Sequence, residues 1–371
     1  MDPSKTACPN ADCPMHGQTG EGNISLHSKK EDRLRCRNCG KTFSARRGTL
    51  FYRRHYDEET ITRVITLLAY GCPVQAACQA FSLDERTVAD WHRAAGLHCQ
   101  RVHQHVIETS QMDLKQVQAD ELRIKAQGQI LWMALALCVT SRLWLAGVVS
   151  SKRDKTMARL LALKVRACAL CRPLLIVFDG FVAYVDAFRK AFRSPERTGK
   201  RGRPRLVPWP GVILGQIIKQ RTGHRLDQVK RRLVPSSWSA ILSEPSPPET
   251  IPRQAQALLI ESQGGGVLNT AYIERLNATF RSVIAPLARR TRALARTPVL
   301  LEASMYLAGS VYNFCTLHRS LSVALLVVGK RGEQRRWVGR TPAMAASLTD
   351  HCWSVRELLT YRFTQHSPNH G

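Results

Sequence analysis

The chain has 371 residues, 44% of them hydrophobic, with 55 Lys and Arg against 28 Asp and Glu and a formal net charge of +27. That length supports two or three domains with ample core. The sequence has no run of 18 apolar residues and no signal-peptide core, which argues against membrane or secreted classes and for a cytosolic protein.

The charge is uneven. Residues 1–110 hold 15 basic and 12 acidic side chains, a net of +3, whereas residues 111–371 hold 40 and 16, a net of +24. A surplus of that size on a globular segment points to a polyanion, usually nucleic acid, ahead of a ribosomal or membrane-surface role. Twelve cysteines in a reducing compartment suggest metal ligands and buried thiols rather than disulfides.

In chain order, residues 1–50 read as a zinc-binding knuckle. Cys8 and Cys13 form a C-x4-C pair, and Cys36 and Cys39 a C-x2-C pair within "RLRCRNCGKTFS". Four thiolates so spaced can surround Zn²⁺, with Gly40 allowing the tight turn after the last; His16 is an alternative to Cys13. Residues 51–110 read as helical. Ile61, Val64, Ile65 and Leu68 recur at helical spacing after Asp57, and "YGCP" stops the run. A short helix over 74–81 follows, then a third capped by Asp84 with Val88 and Trp91 inward. That order describes a helix-turn-helix, with Glu85, Arg86, Thr87, Asp90 and Arg93 as candidate base or backbone readers. The alternative is a three-helix packing unit that touches no DNA.

From residue 111 the text alternates. "LKQVQADELRIK" has strand character, and "QILWMALALCVTS" and "RLWLAGVVSS" supply two more strands. An amphipathic helix over 155–169 leads to "RPLLIVFDGF", an apolar strand ending at Asp179. Three strands in hairpin order, a helix, then a strand feeding a helix is the opening of an α/β ribonuclease-H-like fold, whose first and fourth strands are neighbours. An aspartate closing an apolar strand is costly unless it binds something, and Mg²⁺ or Mn²⁺ suits a carboxylate pair. Asp179 also fits as a cap for the next helix. Strand alternation sends Asp120 and Glu121 to opposite faces, so only one is expected to join Asp179.

The stretch "NTAYIERLNATFRSVIAPLARRTRALAR" holds one carboxylate, Glu274, and six arginines. Ile273, Leu276, Phe280 and Val283 make its core stripe, leaving Glu274, Asn277 and Arg281 on an adjacent face. A third acid brought over two aspartates would complete a two-metal phosphodiester centre.

"CRNCGKTFS", "VQADE", "VFDG", "YIERLNATFR", "VYNFCTLHRSL" and "GRTPAMAASLTDHCWSVRELL" together make the chain resemble a DDE-type insertion-sequence transposase, in particular the insertion-sequence-one group. The resemblance spans nearly the whole chain, and "IERLNATFR" is its most specific piece. It implies a multidomain protein in which a zinc finger and a helix-turn-helix precede a ribonuclease-H-like catalytic domain over 111–325. It implies that Asp120, Asp179 and Glu274 are the metal-binding catalytic triad, with Arg281 meeting DNA near the cut and Asn277 beside it. It further implies double-stranded DNA partners, namely terminal inverted repeats and target, and a homo-oligomer assembled on them. A transposase-derived regulator without activity, or a nuclease that cleaves without strand transfer, are the competing functions.

The 95-residue gap between Asp179 and Glu274 departs from compact members of the superfamily and suggests an insertion at 195–262. Residues 189–232 carry 14 basic and two acidic side chains. Within them "KRGRPR" is similar to an AT-hook, with Arg201 and Arg203 entering a minor groove; a basic loop meeting phosphates indiscriminately is the alternative. Cys168 and Cys171 read as structural thiols, and His318 as a packing, phosphate or metal-site residue. Residues 326–371 form a basic C-terminal segment.

Overall fold

A computed structural model describes residues 2–197, 199, 202–222, 225–235, 250–291, 293–329 and 332–363. The fold is mixed α/β. Three short strands, β1 (Ile24–Ser28), β2 (Arg33–Cys36) and β3 (Thr42–Ser44), form an antiparallel sheet at the N-terminus. Around it lies a small core of Cys8, Cys13, Ile24, Leu34, Cys36, Phe43 and Ala45.

Three helices follow: α1 (Glu58–Ala69), α2 (Val74–Phe81) and α3 (Glu85–His103). Their starts are set locally, because Asp57 accepts the Thr60 N–H at 2.8 Å and Asp84 the Arg86 N–H at 2.8 Å. Asp154 caps α4 (Lys155–Ala167) in the same way through Met157.

The main sheet has six strands. β4 (Gln116–Ala126), β5 (Gln129–Cys138) and β6 (Trp144–Ser150) are an antiparallel meander. β7 (Leu174–Asp179) then lies parallel to β4, and α5 (Val182–Ala191) follows it. A small hairpin of β8 (Arg193–Glu196) and β9 (Arg205–Pro208) precedes β10 (Val212–Thr222), which runs parallel to β7. β11 (Arg225–Pro235) closes that edge, giving the order β11-β10-β7-β4-β5-β6. β7 is apolar on both faces because both are covered. Leu174, Ile176 and Phe178 enter the principal core. Leu175 and Val177 instead meet Ala255, Leu258 and Leu259 of α6 (Thr250–Gln263).

The last helices are α7 (Ala271–Val283), α8 (Pro298–Ser310), α9 (Pro342–Ala345) and α10 (Val355–Thr360). Between α8 and α9 lies the hairpin of β12 (His318–Gly329) and β13 (Gly332–Arg340). Among the described residues no helix is long and apolar enough to cross a membrane.

Three expected boundaries differ from this arrangement. Within 195–262, described parts belong to the α/β unit: β10 pairs with β7 from Val212–Leu174 to Ile217–Asp179, and α6 covers the sheet. The boundary at 325/326 falls inside β12, which pairs with β13 across it. Nor do α1–α3 have a core of their own, since one hydrophobic cluster runs from Leu50 to Leu359 through both helices and sheet. The close approach of α3 to α8 depends on Gly96, where an added Cβ would lie 2.4 Å from the Ala303 carbonyl oxygen.

Candidate functional site

The pairing of β4 with β7 ends at Ala119–Phe178, so Asp120 and Asp179 are the next residues on two adjacent parallel strands. Both line an open cleft of about 590 Å³ together with Arg153, Gly180, Lys219 and Glu274. The three expected acids therefore face one space. Their carboxylates are not equally engaged.

Asp120 is held by Asn277, whose Nδ2 donates to its Oδ2 at 2.7 Å. Burial, then the nearby Asp179 and Glu121 carboxylates, push Asp120 up to about 7. Asp179 Oδ1 accepts the Phe181 N–H at 3.1 Å, so it also steadies the turn into α5. Glu274 Oε1 accepts from Lys219 Nζ at 2.6 Å and from Thr270 Oγ1 at 3.0 Å. Burial works to raise Glu274, but the Lys219 and Thr270 contacts outweigh it and lower its pKa.

Glu121 is the surprise. Its carboxylate, with those of Asp120 and Asp179, forms a group whose oxygens lie within 4.8 Å of one another. Alternation was expected to exclude it. However, β7 is paired with β4 only as far as Ala119, so beyond that point no β7 backbone separates the two faces of β4. Arg153 Nε donates to Glu121 Oε1 at 2.7 Å, and its guanidinium sits 4.1 Å from the Phe181 ring centre. The buried Tyr184 hydroxyl also acts on the Glu121 carboxylate. Burial and Asp179 raise the Glu121 pKa against the pull of Arg153.

The donor set fits a hard divalent cation: carboxylate oxygens within 4.8 Å of one another, opening on a cleft with room for water and phosphate. Asn277 is 1% exposed with its Oδ1 unsatisfied. One turn on, Arg281 feels both the Asp120 carboxylate and the Arg289 guanidinium.

At the N-terminus, Cys8, Cys13, Cys36 and Cys39 form the second group able to hold a metal. The sulfurs of Cys8 and Cys39 are 3.6 Å apart, and those of Cys13 and Cys36 3.9 Å. A tetrahedral site with Zn–S bonds of about 2.3 Å has sulfur–sulfur edges of about 3.8 Å. Burial pushes Cys8 up to about 12, whereas the Lys41 backbone N–H draws Cys39 down to about 7. His16 does not belong to this group; its backbone bridges to Cys8.

On α3, Arg86 and Arg93 are exposed and Thr87 is half-buried. Asp90 is taken up by Arg54 and by Arg93 at 3.1 Å, and Glu85 faces Arg296 at 3.5 Å. None of the α3 candidates lines the carboxylate cleft. Arg203 is exposed just before β9, and Gly202 there takes φ +119°, a conformation suited to glycine. Arg201 lies outside the described residues.

Sequence reasoning passed over Lys219, Arg153 and Gln118. Lys219 sits in the stretch taken for an insertion. Gln118 carried a signal, as a polar residue two positions before Asp120 on the same face of a central strand. Compared with known proteins, the chain matches no family model and no curated protein.

Proposed function

We propose that this chain is a DDE-type transposase that binds the terminal inverted repeats of its own element and carries out metal-dependent DNA cleavage and strand transfer. The observation that carries the reading is the cleft, where Asp120 lies within β4 just past its pairing with β7, Asp179 closes the parallel β7, and Glu274 faces them from α7. The meander β4-β5-β6, the helix α4 and the parallel β7 agree with a ribonuclease-H-like fold. The four-cysteine group and the order α1-α2-α3 are what a zinc finger and a helix-turn-helix would supply.

In this reading Asp120, Asp179 and Glu274 hold Mg²⁺ or Mn²⁺. Such ions, when bound, activate the attacking oxygen and stabilise the leaving one. Asn277 fixes the Asp120 carboxylate, Lys219 balances Glu274 until the cleft is filled, and Arg281 offers charge to a phosphate beside them. The excess of +24 on residues 111–371 provides general attraction to DNA, and exposed Arg86 and Arg93 with Thr87 offer contacts on α3.

The test is a strand-transfer assay with Mg²⁺, linear DNA bearing the element's ends and a plasmid target. Joined products are expected. Cleavage without joining would assign a nuclease, and end binding with neither would assign a regulator.

A further inference from the structure

Away from the carboxylate cleft, cationic groups gather without an acid. Arg142 lies in the turn between β5 and β6, with its guanidinium 4.0 Å from the Tyr272 ring centre. Its Nη1 is buried with no partner. His318, at the start of β12, meets Tyr312 edge-on at 4.6 Å, and its Nε2 is likewise buried and unpartnered. The charged groups acting on both the His318 and Tyr312 rings are Arg142 and Arg275, with no carboxylate among them. Neither arginine makes an ion pair among the described residues. Holding the Arg142 guanidinium partly out of water without counter-charge is unfavourable unless something anionic completes it.

The backbone supports the cluster. Arg142 adopts φ 60°, a left-handed conformation that a non-glycine residue occupies at a cost. Tyr312 pins it there by donating its hydroxyl to the Arg142 carbonyl at 3.1 Å. A guanidinium held over an aromatic ring keeps its N–H edge for contact with oxyanion oxygens.

We propose that Arg142, Arg275 and His318 form an oxyanion site that binds one phosphate of a nucleic-acid backbone, separate from the carboxylate cleft. The choice of nucleic acid over a free phosphate rests on the transposase reading. Helix α7 links the two places: Glu274 lines the cleft, and the next residue, Arg275, belongs to the cationic cluster. None of Arg142, Arg275 and His318 lines the cleft itself. A strand entering the cleft would therefore have a second point of attachment on the same helix, which fixes its direction.

Inorganic phosphate, titrated into the full chain at constant ionic strength with chloride as reference, tests the site without DNA. Thermal stabilisation by phosphate should need about tenfold more ligand in Arg142→Gln and in Arg275→Gln, a loss of one charge-assisted contact. Arg63→Gln, an exposed pair of Glu59, should behave as wild type. Equal responses from all three variants would overturn the site. Arg275 is exposed, so its variant keeps the test open should Arg142→Gln fail to fold.

A second arm follows duplex binding against salt. Each single variant should leave the slope nearly unchanged, because the remaining arginine still neutralises the shared phosphate, and the double variant should reduce it by about one. A double variant losing about two would overturn the shared phosphate. Phosphate binding by a wild type that binds no duplex would remove the nucleic-acid ligand and strike the transposase reading, while leaving the oxyanion site in place.

Discussion

The side chain of Gln118, two residues before Asp120 on β4, accepts the backbone N–H of Ile273, the residue before Glu274, at 3.0 Å. The same Oε1 accepts the Tyr272 N–H at 3.0 Å, and Nε2 donates to the Asn269 carbonyl at 2.9 Å. A fully buried strand side chain thus caps α7, whose own N-cap residue Thr270 supplies no capping bond. This joint sets the distance between the first and third acids of the cleft.

Gln118→Ala removes the acceptor from two N–H groups at a buried helix start. Each such group costs about 1–3 kcal/mol when left unpaired, so a loss of about 2–6 kcal/mol is expected in urea unfolding. Mn²⁺ affinity should fall as well, because α7 loses its registration with β4. A change below about 0.5 kcal/mol with unaltered Mn²⁺ binding would show that the joint does not position the site.

Asp120 predicts a pH dependence of defined sign. Its pKa in the folded chain is about 7 against an ordinary 3.8, through burial and the neighbouring Asp179 and Glu121 carboxylates. Between those values the folded chain keeps a proton that the unfolded chain releases, so the metal-free protein loses stability as pH rises from about 4 through 7. Asp120→Asn removes that loss and can still accept from Asn277. The variant should melt above the metal-free wild type at pH 8 and match it at pH 4. Equal melting temperatures at pH 8 would contradict the charge crowding on which the metal reading depends.

Two glutamates compete for the third place in the cleft. Glu121 is closer to the aspartates but is bound by Arg153, while Glu274 is held by Lys219. The transposase reading expects Asp120→Ala, Asp179→Ala and Glu274→Ala to lose cleavage and joining yet retain end binding. Glu121→Gln should cost only about tenfold, as a supporting group rather than a ligand. An inactive Glu121→Gln beside an active Glu274→Ala in the strand-transfer assay would hand the third position to Glu121.

Local chemistry made much of this arrangement legible. Asp84 and Asp154 each bond an N–H two or three residues ahead, and "VFDG" ends an apolar strand. Such signals depend on neighbours in the chain. What escaped depends on residues far apart. β10 joins the sheet through contacts between 212–217 and 174–179, and the basic composition around it disguised a strand pair as a loop. The merging of α3 with the main core relies on Gly96 meeting Ala303, and a lone glycine does not announce its partner. Alternation alone does not place Glu121, because β4 lacks β7 beside it beyond Ala119.

The four-cysteine group carries the last prediction. The core around it has seven buried residues, three of them cysteines, which is too little apolar burial to hold a fold without a staple. Elemental analysis should find one zinc per chain. Chelation should open residues 1–50 to protease, and the effect should spread to the C-terminus, because Arg362 donates to Thr6 Oγ1 and the Ala45 carbonyl, and Leu50 donates its N–H to the Leu359 carbonyl at 3.1 Å. The carboxylate cleft belongs to β4, β7 and α7, so Mn²⁺ binding there should survive chelator removal. Cys36→Ala should reproduce the protease pattern without chelator, since Cys36 is fully buried between Cys13 and Asn23. A chain free of zinc, with the segment equally resistant before and after chelation, would mean that the thiols pack as ordinary core and hold no metal.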